Sequence, residues 1–173
     1  MSETSDRTRD AAFEAFYVRT SSGIWAYLYR VSGDGALADD IVQEAFVRYL
    51  RSARADLPEG QRKAFIYKIA SHLLTDSFRK KKTVSLEDLP EREKAAGPAA
   101  SDALSPDLRI LFETLPQRDR ALLWLAYAEG YDHAEIAEIL GLKKASIKVL
   151  LFRLRRSFAV ALKNIGYIPE ETP

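Results

Sequence analysis

The chain has 173 residues with 26 Lys and Arg against 25 Asp and Glu, no Cys, two His and 47% hydrophobic residues. This length accommodates one medium domain or two small ones, and the apolar fraction is typical of a folded protein. The absence of Cys excludes disulfides, thiolate zinc sites and a Cys nucleophile, so no metal or other cofactor is expected. No apolar run approaches ~18 residues, and the polar N-terminus does not resemble a signal peptide. These features predict a soluble, cytoplasmic protein.

Apolar residues recur at helical spacing along most of the chain, and no segment shows sustained strand alternation. The first such pattern, between Phe13 and Leu28, predicts one helix or a pair of helices that end at the glycine-containing break at 32–35. A second helix is predicted over about residues 36–53. After a loop around Pro58, a third helix is predicted over about residues 61–81.

The composition changes after the third helix. Residues 83–105 contain prolines, an Ala-Ala-Gly-Pro-Ala-Ala core and few large apolar side chains, which is typical of a flexible linker. Ser105 and Pro106 suit the N-cap and first turn of the next helix, which Pro116 ends. Further helices are predicted at about 117–129, 133–140 and 144–165. The predicted fold is therefore all-α, with small helical domains at 1–82 and 106–168 joined by a linker at 83–105.

The net charge of +1 conceals an uneven distribution. Residues 47–83 carry ten bases against three acids, and residues 141–166 carry seven bases and no acid, whereas the stretches around them are acidic. Two basic blocks in a nearly neutral protein resemble two electrostatic footprints on a polyanion, such as nucleic acid. The alternative is that each block is a solvated helix face.

The second basic block follows a pattern typical of a helix-turn-helix. Asp132 and Glu135 have capping-box spacing, Gly141 suits a tight turn, and Ile147, Leu151, Leu154 and Phe158 predict one buried face of the last helix. The second helix of this motif enters the DNA major groove. The residues expected near bases or phosphates are Lys143, Lys144, Ser146, Lys148, Arg153 and Arg156. The alternative is a three-helix bundle with a basic surface.

The whole chain resembles a known family. Residues 115–131, 135–137, 146–148 and 152–155 are similar to region four of the sigma-70 superfamily, and more narrowly to its extracytoplasmic-function (group four) members. Residues 38–46, Ala-Asp-Asp-Ile-Val-Gln-Glu-Ala-Phe, are similar to the acidic D-(L/I/V)-V-Q-E-x-F motif of region two. Residues 65–70, followed by Asp76 and Arg79, resemble its W-L-Y-R-I-A helix.

The resemblance implies a sigma factor that binds core RNA polymerase, recognises the minus-35 and minus-ten promoter elements and promotes melting. If the resemblance holds, the chain is not expected to be an enzyme, because the nucleotide chemistry would belong to the polymerase. The resemblance implies binding to the clamp coiled coil of the beta-prime subunit by Asp39, Asp40, Gln43, Glu44 and Val47. It implies contact with the minus-ten element by Arg54, Arg62, Lys63, Tyr67, Lys68, His72, Arg79 and Lys80.

Three departures from the family pattern affect these expectations. His72 stands where the family usually has Asn, so base preference cannot be transferred. Phe65 replaces a Trp and is either core or a flat face for a base. The recognition helix lacks the polar residues of the usual T-V-R-S-R pattern, which leaves Val149 and Phe152 towards the minus-35 DNA. These two side chains either contact thymine methyl groups or mark a surface for a protein partner such as an anti-sigma factor.

Two rival functions remain open on the sequence. An ordinary helix-turn-helix regulator would leave the acidic stripe on the second helix unexplained. A sigma mimic that sequesters an anti-sigma factor would be expected to lose its basic DNA-facing residues, and both basic blocks are present. The opposite local charges also allow a compact free state in which the basic blocks are masked.

Overall fold

The computed structural model describes residues 2–52, 54–84, 106–164 and 166. Within these ranges the fold consists of seven α-helices, one π-helical segment and no strand, which confirms the predicted all-α class. The chain divides into two compact units, Met1–Ala95 and Ala96–Pro173. No helix in the described ranges is both long and apolar enough to span a membrane. The predicted linker after residue 84 lies outside the described residues, as does the N-cap residue Ser105.

The N-terminal unit is built from three long helices: α1 (Ser2–Ser32), α2 (Gly35–Arg51) and α3 (Glu59–Val84). The first pattern in the sequence is thus one helix, not a pair. Asp34 caps α2, because its side chain accepts a hydrogen bond of 2.9 Å from the backbone N–H of Leu37. Helix α3 extends two residues, Thr83 and Val84, into the range predicted for the linker.

Aromatic side chains dominate the core of the N-terminal unit. Phe16, Tyr27 and Tyr67 are at most 1% exposed, and the ring of Phe16 lies 5.6 Å from that of Tyr49 on α2. The hydroxyls of Tyr27 and Ser71 share a buried hydrogen bond of 2.8 Å between α1 and α3. Burial raises the pKa of Tyr27 well above its ordinary value, so this hydroxyl remains protonated and available for the bond.

The described part of the C-terminal unit contains three short helices, α4 (Pro106–Thr114), α5 (Gln117–Leu123) and α6 (His133–Leu140), and one long helix, α7 (Lys144–Asn164). Its core is aliphatic, and Leu122, Leu125, Ile136 and Ile147 are all fully buried. Ile147, Leu151 and Leu154 of the predicted apolar face of α7 are buried, and Phe158 is partly buried.

A π-helical segment, Trp124–Ala128, continues α5 and was not predicted from the sequence. The backbone N–H of Glu129 bonds to the carbonyl of Trp124 at 3.1 Å, and that of Tyr131 bonds to the carbonyl of Leu125 at 3.0 Å. Gly130 follows with a φ of 72°, a conformation that glycine adopts at little cost. The widened turn ends the helix before Glu129, where the sequence had predicted one regular α-helix over 117–129.

Candidate functional site

The predicted polymerase-binding residues lie along one side of α2, opposite its buried side. The buried residues of α2 include Ile41, Ala45 and Phe46. The predicted residues are Asp39, Asp40, Gln43, Glu44 and Val47, of which the first three are exposed and the last two are partly buried. We call this set the acidic stripe. Asp39 and Asp40 are followed by the other members at intervals of three or four residues, the spacing of neighbours on one helix surface. All five therefore lie on one side of α2.

Two of the three carboxylates of the acidic stripe accept a hydrogen bond, and the third has no such partner among the described residues. Asp39 accepts a hydrogen bond of 2.7 Å from the indole Nε1 of Trp25. Glu44 accepts a bond of 2.6 Å from Nε of Arg48, one turn along the same helix. Asp40 has no hydrogen bond or ion pair to any described residue. The charge most available to a basic partner is therefore that of Asp40.

The predicted minus-ten residues do not form one surface. Phe65, Lys68, His72 and Arg79 fall within about 60° of one another around α3, which places them in one row. From the loop before α3, the Arg54 guanidinium reaches this row and lies 4.4 Å from the centroid of the Phe65 ring. His72, Arg79, Lys80 and Arg54 are exposed, while Phe65 and Lys68 are partly buried.

Three other predicted minus-ten residues point elsewhere. Tyr67 is fully buried, with its ring 5.3 Å from that of Tyr27, so it cannot stack on a base without leaving the core. Lys63 lies on the same side of α3, 5.8 Å from the centroid of the Tyr67 ring. Arg62 packs over the Phe16 ring at 4.5 Å. The prediction that Tyr67 contacts DNA does not fit its burial, and its visible role is to pack α3 against α1.

Ion pairs involve several charges of the N-terminal unit. Arg19 binds both carboxylate oxygens of Glu59, at 3.0 and 3.2 Å, and its hydrogen bond lowers the pKa of Glu59 below the ordinary value. Arg79 pairs with Asp76 at 2.8 Å. Lys81 reaches the N-cap Asp34 at 3.4 Å, joining the end of α3 to the start of α2. Part of the first basic block is therefore internally neutralised.

The helix-turn-helix has the local geometry that its sequence predicts. The Asp132 side chain accepts hydrogen bonds from the backbone N–H groups of Ala134 and Glu135, at 2.7 and 2.9 Å, and the Glu135 carboxylate accepts one from the backbone N–H of Asp132 at 2.8 Å. These hydrogen bonds lower the pKa of Asp132 below its ordinary value, the bond from Glu135 having the largest effect and the bond from Ala134 the next largest. Gly141 ends α6 in the left-handed conformation, with a φ of 65°. The chain can therefore turn directly into α7.

The exposed side of α7 carries most of the predicted minus-35 residues. Lys148, Arg153 and Arg156 are exposed, as are Val149 at 49% and Phe152 at 57%. Lys143 and Lys144 are exposed at the turn, whereas Ser146 is partly buried and its backbone N–H bonds to the carbonyl of Lys143. Within the described part of the chain, no salt bridge involves a base of residues 141–166.

Trp25 is the residue near these surfaces that sequence reasoning did not select. The sequence spacing assigned Trp25 to the buried face of the first helix. In the structure its ring is only partly buried and lies beside Asp39. The one available signal was chemical, since a Trp N–H usually finds an acceptor when it is buried. The described residues include no group of three or more potential metal ligands.

Two family models match the chain, one in each unit. The model for Sigma-70 region 2 matches residues 16–84, and the model for Sigma-70, region 4 matches residues 103–158. Together they span more than half of the 173 residues. The two matched segments include α2 and α3 in the first unit, and α6 and the first 15 residues of α7 in the second.

Several curated proteins are similar over nearly the whole chain. The chain is 27% identical to the ECF RNA polymerase sigma factor SigE of Mycolicibacterium smegmatis, over 88% of this chain and 62% of that protein. It is 24% identical to SigL of Mycobacterium tuberculosis, over 90% and 92%, and 29% identical to the RNA polymerase sigma factor CarQ of Myxococcus xanthus, over 86% and 89%. The chain therefore spans less than two thirds of SigE but most of SigL and CarQ.

The fold is similar to that of a solved sigma-factor structure. That structure is the co-crystal structure of the sigma factor RpoE with the anti-sigma factor NepR from Bartonella quintana, which aligns with a TM-score of 0.71 at 21% identity. The alignment covers 87% of this chain and 96% of that chain. At this identity the likeness supports the helical fold alone.

Proposed function

The chain belongs to the extracytoplasmic-function sigma factors of the sigma-70 superfamily, and from this premise we propose that it directs core RNA polymerase to promoters. In this proposal the acidic stripe binds the clamp coiled coil of the beta-prime subunit. The row on α3 with Arg54 contacts the minus-ten element and promotes its melting. Helix α7 reads the minus-35 element. The protein acts where the polymerase works, in the bacterial cytoplasm.

The observation that carries this proposal is the exposed side of α7. Its bases form no salt bridge within the described residues, so no ion pair competes with a polyanion for them. Arg and Lys that neutralise phosphates release counterions, which supplies most of the sequence-independent affinity for DNA. An exposed, acid-free helix after a left-handed glycine turn has the shape and charge that the major groove requires.

The minus-ten role is supported by flat and cationic groups in one row. Duplex opening costs stacking energy, which aromatic faces, cations and edge hydrogen bonds offset. Phe65 beneath Arg54, together with Lys68 and His72 along the same row, offers these groups. We leave Tyr67 out of the DNA-binding set because of its burial, and we assign Lys63 at most a phosphate contact at the edge of the surface.

The exposed apolar residues of α7 also favour a protein partner. Val149, Phe152 and Val160 are 49%, 57% and 55% exposed, which is unusual for large apolar side chains on one helix unless something covers them. The RpoE chain of Bartonella quintana was crystallised with an anti-sigma factor. We propose that an anti-sigma factor covers this part of α7 when the protein is inactive.

Run-off transcription tests the main proposal. The full chain is mixed with core RNA polymerase and a genomic promoter library, and we expect specific transcripts that depend on the added chain. Asp40→Ala should reduce both co-purification with core polymerase and transcription. The matched control Glu113→Ala, which removes an exposed acid from α4, should reduce neither. DNA binding without any affinity for polymerase would instead favour an ordinary helix-turn-helix regulator.

A further inference from the structure

A groove lies between α1 and α2 beside the acidic stripe, with a volume of about 360 Å³. Its α1 side is lined by Tyr17, Ser21, Ser22 and Trp25, and its α2 side includes Asp39 and Gln43. Asp39 is the one formal charge among the lining residues. The groove is therefore a polar, negatively charged recess at the edge of a surface that is itself acidic.

The Trp25–Asp39 hydrogen bond holds the carboxylate in place in this groove. The indole Nε1 is a donor only, and its ring is stacked on Tyr29 with centroids 5.1 Å apart and an interplanar angle of 15°. The bond of 2.7 Å joins two residues that are 14 positions apart. It occupies Oδ1 of Asp39 and leaves Oδ2 without a hydrogen bond to the described residues.

The groups around Asp39 match the chemistry of a guanidinium. Carboxylate and hydroxyl oxygens, with the amide oxygen of Gln43, accept its N–H groups, and aromatic rings offer faces on which its plane can lie. Tyr17, which lines the groove, is 40% exposed, and its ring packs edge-on against Phe46 with the centroids 4.7 Å apart, which fixes the orientation of the ring. A Lys ammonium would use the charge but not the flat faces.

The groove is continuous with the acidic stripe. Asp39 and Gln43 are separated by one helical turn and form the edge of the stripe nearest α1, whereas Asp40 and Glu44 lie further around α2. A basic helical partner that lies along the stripe can therefore reach into the groove with one long side chain. The size of the groove suits a side chain and excludes a whole helix, which is about 10 Å across.

We propose that this groove receives an arginine side chain of core RNA polymerase, and that Trp25 is the positioning residue that presents Asp39 to it. This inference rests on the proposed function, because it takes the acidic stripe to be the polymerase-binding surface. It extends that surface from α2 onto α1 and assigns a role to a residue outside the acidic stripe.

Equilibrium binding of the full chain to purified core polymerase tests the positioning role. Trp25→Phe keeps a ring but removes the donor, and we expect it to weaken binding about 3- to 10-fold, as for one charge-assisted hydrogen bond. The effect should disappear in the Asp39→Ala background, since Trp25 acts through Asp39. Asp40→Ala should add to Trp25→Phe. A merely structural role would instead lower the thermal midpoint and weaken binding equally in both backgrounds.

The chain offers a matched control for this substitution. Trp124 donates its Nε1 to Glu129 at 3.2 Å in the C-terminal unit, so Trp124→Phe removes the same type of bond away from the groove. We expect its affinity for core polymerase to match that of the unaltered chain. Unchanged binding by Trp25→Phe, with weakened binding by Asp40→Ala, overturns the inference and leaves the proposed function standing. Unchanged binding by Asp39→Ala and Asp40→Ala overturns both.

A photocrosslink identifies the occupant. The chain has no Cys, so Ser22→Cys gives a single site at the groove for a thiol-reactive crosslinker attached before core polymerase is added. We expect a crosslinked polymerase peptide that contains an arginine whose replacement by Lys weakens binding. A crosslinked peptide without arginine, or crosslinking to no polymerase subunit, contradicts the proposed occupant.

Discussion

The two units of this protein differ in the type of side chain that forms the core and in whether their basic residues form ion pairs. The N-terminal unit has an aromatic core, and several of its charges are joined in ion pairs such as Arg79–Asp76 and Arg19–Glu59. The C-terminal unit has an aliphatic core, and the bases of α7 form no salt bridge among the described residues. A sequence count of bases therefore overstates the charge that the first basic block offers to a polyanion, relative to the second block.

The difference fits the work proposed for each unit. Reading a duplex through its phosphates needs many unneutralised cations, whereas opening a duplex needs faces on which bases stack, held by a rigid scaffold. The acidic stripe adds a further demand on the N-terminal unit, because acids and bases must be kept on separate surfaces.

The largest expected effects come from removing one core side chain in each unit. Phe16→Ala should destabilise the N-terminal unit by about 3–5 kcal/mol, and Leu122→Ala should destabilise the C-terminal unit by about 2–5 kcal/mol. If the units are separate domains, hydrogen exchange measured on the full chain will lose protection only in the unit that carries the substitution. Loss of protection in both units from either change would contradict the division.

Salt dependence sharpens the contrast between the two basic surfaces. In holoenzyme bound to a promoter found by run-off transcription, Arg153→Ala with Arg156→Ala removes two cations that have no ion pair to the described residues. The slope of log affinity against log salt should become shallower by about 1.8. Arg79→Ala with Lys80→Ala should change the slope by less, because Arg79 already pairs with Asp76. Equal changes would remove the distinction that we draw between the surfaces.

A buried polar bond distinguishes the N-terminal core from the aliphatic C-terminal core. Tyr27→Phe leaves the Ser71 hydroxyl without its partner at 2.8 Å and should lower the free energy of unfolding by about 1–2 kcal/mol, measured by chemical denaturation. Adding Ser71→Ala should recover part of this loss, because it removes the unsatisfied group. A further loss from the second substitution would show that Ser71 has another role.

The smallest expected effect concerns the caps of α2 and α6. The pKa of Asp132 is lowered in the folded state, so its contribution to stability is present above the unfolded pKa of about 3.9. It is lost as the pH falls through the lower folded pKa. Asp132→Asn should remove this pH dependence and keep most of the cap, as measured by thermal midpoints between neutral and acid pH. Asp34→Asn in α2 provides the matched comparison.

Much of the local structure could be predicted from the sequence because it depends on nearby residues. The Asp132 cap, the Gly141 turn and the buried face of α7 all follow from spacings of three or four residues, and the structure has each of them. The π-helical turn at 124–128 was missed because it depends on backbone bonds to Glu129 and Tyr131 that side-chain periodicity does not encode.

The candidate surfaces were predicted less completely, because a list of basic residues does not say in which direction each side chain points from its helix. Lys63, Tyr67 and Lys68 are close in sequence, but successive residues of a helix point about 100° apart. Tyr67 therefore faces the core while Lys68 lies in the row with His72. Arg54 reaches Phe65 from a loop, a contact that no helical spacing could predict.

The sequence by itself determined the all-α class, the helix-turn-helix, the acidic stripe and the two basic blocks, because composition and short-range periodicity encode them. Only the tertiary structure decided which charges are neutralised and which side chains are reachable. Trp25 meets Asp39 because α1 packs against α2, and Asp40 has no partner because no described cation packs beside it. Such pairings depend on how helices pack, which the spacing of residues within one helix does not specify.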